Sequence, residues 1–168
     1  MRRAKTTKPG LRVLGIDPGS RLCGYGVVDA DGRYLASGTL VLSTGSPLHT
    51  RLRELHHGLS EVVAEFRPEE ASVEKVFFAR SVQSALTLGH ARGVALLAVA
   101  MAGIPLHEYS PSEIKKAITG YGRADKAQMQ AMVRRILHLD FTPSPDGADA
   151  LAAALCHQQL AAHARSIA

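Results

Sequence analysis

Four carboxylates stand where acids are either costly or able to aim together. Asp17 ends an apolar run in LGIDPGSRLCGYGVV, Glu74 lies inside ASVEKVFF, and Asp146 and Asp149 open PDGADAL. Each has an ordinary alternative. Asp before Pro-Gly is a common turn sequence. Glu74, with Lys75 beside it, suits an edge strand facing water. Acids in a first helical turn favour the helix dipole. The set is harder to dismiss, because a buried carboxylate without a partner is costly. The spacing of three between Asp146 and Asp149 puts both near one helix face. Clustered carboxylates repel one another and call for a hard cation between them. Two Mg²⁺ ions about 4 Å apart would activate a water and stabilise the leaving oxygen of a phosphodiester.

Other chemistries have less support. The glycines around Asp17 suggest a phosphate-cradling loop, but a carboxylate stands where such a loop offers backbone amides. The eight histidines include no HxxxH pair near cysteines or acids, so no zinc site is expected. No GxSxG elbow is present for a Ser-His-Asp hydrolase.

Positioning four acids requires a sheet with helices. Leu11 to Ile16 reads as a buried strand, Tyr25 to Val28 as its antiparallel partner, and Tyr34 to Leu42 as a third strand after the Asp29–Gly32 turn. Leu48 to Phe66 has apolar residues at three- and four-residue steps, a helix stopped by Arg67-Pro68. Ala71 to Phe77 reads as a central strand and Ile104 to Tyr109 as a fifth. Between them, Ser81 to Met101 is a helix apolar on most sides, and its Ala91, Gly93, Ala95 and Ala98 would let another helix approach closely. Ser110-Pro111-Ser112-Glu113 is a capping box that starts the next helix. A further helix spans about Asp125 to Leu137, and Asp146 opens a last one that reaches about His163. Three meander strands followed by alternating helix and strand predict an α/β ribonuclease H-like fold, with a five-stranded mixed sheet and helices on both faces.

The chain has 168 residues, which suits a single domain over residues 11–168 after a flexible basic arm at residues 1–10. The formal net charge of +5 favours a polyanionic partner such as nucleic acid. The most apolar stretch, around Val94 to Ile104, is too short for a membrane span, so no membrane is expected. Cys23 and Cys156 have no metal-ligand spacing and fit a cytoplasmic protein.

The segments GIDPGSRLCGYGVV, VEKVFFARSVQSALTLGHARGVA, ITGYGRADKAQMQ and DGADALAAAL together resemble the RuvC family of Holliday junction resolvases, in the family's order and at similar spacing. The resemblance implies a homodimeric, Mg²⁺-dependent crossover junction endodeoxyribonuclease. It would cut two strands of like polarity across a four-way DNA junction, in recombination and repair. It also implies Asp17, Glu74, Asp146 and Asp149 as catalytic and metal-binding acids. Lys115 and Lys126 map to basic positions near the junction backbone, and Phe77 to an aromatic that stacks at the crossover. Arg80 is a further DNA-binding candidate from the next helix start. The branch-migration proteins RuvA and RuvB are implied as partners. Three alternatives remain open at this stage. One is a shorter YqgF-like nuclease, another a non-catalytic module of the same fold that binds branched nucleic acid. The third is an actin-like kinase or ATPase, which needs two such domains where this chain has length for one.

Overall fold

A computed structural model describes residues 11–75 and 81–167. Phe77, Arg80 and the basic N-terminal arm fall outside the described residues. The order along the chain is β1 (Val13–Asp17), β2 (Leu22–Val28), β3 (Tyr34–Val41), α1 (Leu48–Phe66), β4 (Glu70–Glu74), α2 (Val82–Met101), β5 (Leu106–Tyr109), α3 (Pro111–Thr119), α4 (Lys126–Ile136) and α5 (Pro145–Ile167). The five strands form one mixed sheet in the order β3-β2-β1-β4-β5. β1, β2 and β3 pair antiparallel, and β1, β4 and β5 pair parallel.

The two faces carry different helices because the strand residues alternate between them. Leu14, Ile16 and Val27 meet Leu55, Leu59 and Val62 of α1 and Ala91, Ala95 and Val99 of α2. Val13 and Val28 face the other way, against α3, α4 and the long apolar run Leu151 to Cys156 of α5. The expected fold is therefore the observed one.

On that second face the sheet is bare where α5 crosses it. A Cβ on Gly15 would lie 1.9 Å from the Ala150 carbonyl oxygen, and one on Gly24 would lie 2.0 Å from that of Asp146. A Cβ on Gly26 would lie 2.7 Å from the Leu151 side chain. These glycines let the helix backbone rest directly on β1 and β2. They are a seat for α5 and not a phosphate cradle.

Several local readings change. Glu74 is the last residue of β4, not a mid-strand residue. Asp146 does not cap α5. Pro145 is the first helical residue, and the Ser144 hydroxyl accepts from the Gly147 amide at 3.1 Å. Proline without an N–H fits that first position. α2 is longer than the stretch expected to be its most apolar part. By length and composition it is apolar enough to cross a membrane. Yet Ala91, Ala95, Ala98 and Val99 lie in the core, while Val82, Leu86, Leu97 and Met101 are 78%, 56%, 51% and 69% exposed. The small alanines thus serve the core, and a different face of α2 is bare.

Candidate active site

Three elements end at one place. Asp17 closes β1, Glu74 closes the parallel neighbour β4, and the first turns of α5 carry Asp146 and Asp149. Asp17 is paired with Gly24, the residue on which the Asp146 backbone rests, so the glycine seat brings the α5 acids to the end of β1. Asp17, Glu74 and Asp149 line one cleft of about 600 Å³ with Pro18, Lys75 and Lys126. Lys115 lines its inner continuation together with Glu74, Lys126 and Asp149. Asp146 lies at the margin, half-buried, where its charge still reaches Asp17.

The electrostatics record the crowding. Burial pushes the Asp17 carboxyl up to about 7, and Asp149, Glu74 and Asp146 push in the same direction, in that order. Burial also raises Glu74, followed by repulsion from Asp149, while Lys115 and Lys126 pull it down. Lys126 Nζ donates to Asp149 Oδ2 at 3.2 Å, and Asp149 first of all holds its ammonium above the usual lysine range. Three lysines, Lys75, Lys115 and Lys126, do not cancel the four acids. An all-oxygen donor set with surplus negative charge, half out of water, fits a hard divalent cation such as Mg²⁺.

All four sequence-predicted acids are thus brought together, and Lys115 and Lys126 stand at the same cleft. Two features were missed. The Lys126–Asp149 pair spans 23 residues and leaves no local trace. The seat formed by Gly15, Gly24 and Gly26 did leave one, the GxD and GxG spacing around Asp17, but the sequence alone does not show that these glycines receive a helix.

The family model for crossover junction endodeoxyribonuclease RuvC matches residues 13–157. The chain belongs to the RuvC family. RuvC of Alkalilimnicola ehrlichii is 57% identical to it over 149 residues, covering 87% of this chain and 90% of that one. RuvC of Halorhodospira halophila is 54% identical over 158 residues, covering 92% of each. Among solved structures, Thermus thermophilus RuvC in complex with a Holliday junction substrate superposes with a TM-score of 0.86 at 39% identity, covering 92% of this chain and 96% of that one. The yeast mitochondrial resolvase Ydc2, at 15% identity and a TM-score of 0.64, shares the fold.

Proposed function

We propose that this chain is a structure-selective endonuclease that resolves four-way DNA junctions by paired, metal-dependent phosphodiester cleavage in recombination and repair. The observation that carries this reading is the meeting of Asp17, Glu74 and Asp149 at one cleft, with Asp146 at its margin, in a RuvC-family fold. The T. thermophilus relative is described with a Holliday junction as its substrate, and the net charge of +5 suits the same polyanion here.

In this reading Asp17 would be the central ligand, because the charges of Asp149, Glu74 and Asp146 all reach it. Glu74 approaches from the β4 side, and Asp146 and Asp149 from the α5 side. Mg²⁺ held there would supply Lewis acidity for an attacking water and charge neutralisation at the scissile phosphate. Lys126 and Lys115, with Lys75, hold positive charge at the cleft wall beside the acids that a phosphate would meet. The rigid seat of α5 keeps the acids in place without a ligand.

Two matched cuts call for a twofold enzyme. The exposed stripe Val82, Leu86, Gly89, Gly93, Leu97 and Met101 follows one face of α2, and a Cβ on either glycine would meet nothing within 4 Å. That bare face supports a homodimer in which a second α2 packs across the glycines. RuvA and RuvB, as branch-migration partners, and a cytoplasmic location belong to the same reading. Incubation with a synthetic mobile four-way junction tests it. Paired, symmetric nicks that need Mg²⁺ are expected, and a chain that binds the junction but never cuts it would refute the proposal.

A further inference from the structure

We infer that Glu70, His107 and His157 form a second metal site, distinct from the acid cleft, which takes Zn²⁺ or a similar borderline divalent cation. Glu70 begins β4, His107 lies in β5, and His157 is in α5. One donor atom from each lies within 4.8 Å of the other two. Glu70 is four residues from Glu74 along a strand, and His157 eight residues from Asp149 along a helix. The group therefore stands about 12 Å from the acid cleft. Its donors differ in kind as well as place. Imidazole nitrogens select zinc-like ions over Mg²⁺, and the oxygen-only cleft does the reverse. The absence of any HxxxH spacing hid this group, because its members come from three separate elements.

The groups that would orient His157 are already in place. His157 is 3% exposed, and its Nδ1 lies 2.6 Å from the Tyr109 hydroxyl. Its Nε2 contacts the Glu70 carboxylate. Nδ1 is held by the Tyr109 hydroxyl and Nε2 by the Glu70 carboxylate, so both ring nitrogens are already positioned. With metal bound, Nδ1–H would donate to the Tyr109 oxygen and Nε2 would offer its lone pair to the cation. A ligating histidine whose other nitrogen is held this way is the usual arrangement at zinc. His107 stacks on His157 with ring centroids 4.1 Å apart and planes 21° from parallel. It must turn to aim a nitrogen at the shared point, and its half-exposed place on the edge strand leaves room for that. Three protein ligands leave a fourth position for water. Such an ion would clamp β4, β5 and α5, two of which carry the acids of the cleft.

The test uses the full chain with the cleft disabled by Asp17→Asn and Asp149→Asn, stripped of metal and titrated with ZnCl₂ by calorimetry and thermal shift. One equivalent of Zn²⁺ should still bind and raise Tm. Adding His107→Gln, or separately Glu70→Gln, should weaken that binding at least about tenfold, since even losing an outer-shell partner costs ten- to a hundredfold. Circular dichroism of both variants checks that the fold is kept. No zinc binding in the cleft-disabled chain, or binding unchanged by both substitutions in folded protein, would overturn the inference.

Discussion

Lys126 donates to Asp149 across 3.2 Å, so a cation from the start of α4 is held by a carboxylate of the cleft. Lys126 is 80% exposed, and as a surface salt bridge the pair contributes little to stability. Its effect falls on charge at the cleft. Lys126→Gln should lower junction cutting by up to about a hundredfold, the low end of what one lost electrostatic contact to a transition state costs in a water-excluded site, because Lys126 is exposed. Binding of the junction should change far less, because many phosphate contacts share that work. A parallel fall in affinity and cutting would move Lys126 from the reaction to general DNA binding.

Asp17 gives a pH-dependent prediction. In metal-free protein its carboxyl is raised to about 7, above the unfolded value of about 3.9. The native state then holds more protons than the unfolded one between these values. Stability from this group is therefore full at low pH and lost as pH rises from about 4 through 7, by at most about 1.4 kcal/mol per pH unit. Asp17→Asn removes that loss. In chelator at pH 8 the variant should melt several degrees higher than the parent, at about 2–4 °C per kcal/mol for a chain of this size. The advantage should vanish near pH 4. The same variant should lose cutting by three orders of magnitude or more while still binding junctions. A lower Tm at every pH would mean that Asp17 serves its turn and not a metal.

Gly24→Ala tests the seat of α5. Its added methyl would meet the Asp146 carbonyl at 2.0 Å, a backbone atom that cannot swing aside. Overpacking of that kind costs about 1–3 kcal/mol or more. Chemical denaturation should register the loss. Cutting should fall further than stability accounts for, because the helix that shifts carries two of the acids.

The bare face of α2 predicts association. Leu97→Asp places a charge in the exposed stripe one turn beyond Gly93 and should convert the proposed dimer to monomer in sedimentation experiments, with the fold intact by circular dichroism. Paired nicking should give way to single nicks or none. A parent that is already monomeric at micromolar concentration would remove the dimer from the mechanism.

Much of the site was legible because its acids sit at punctuation points. Asp17 precedes Pro-Gly, and the α5 acids follow a Pro-Ser-Pro break, where local rules alone mark a chain reversal or a helix start. The capping box at Ser110 was read correctly for the same reason. Ser144-Pro145 has the same Ser-Pro opening, and applying the rule twice would have moved the cap from Asp146 to Ser144. Glu74 was recognised as too costly to bury idly, though its place at the strand end depends on where β4 stops pairing. What stayed hidden is tertiary. No local pattern announces that Lys126 reaches Asp149, or that Glu70, His107 and His157 converge from three elements. The face of α2 left bare depended on which residues its own core claimed.

The cleft draws on both ends of the chain. Asp17 comes from the first strand and Asp149 from the last helix, about 130 residues later. A chain still being synthesised has Asp17 and Glu74 but not the α5 acids, and a chain that has frayed at α5 loses them again. On the proposed reading, nuclease activity would be interlocked with completion of the fold, because a half-made or half-melted copy lacks two of the four acids.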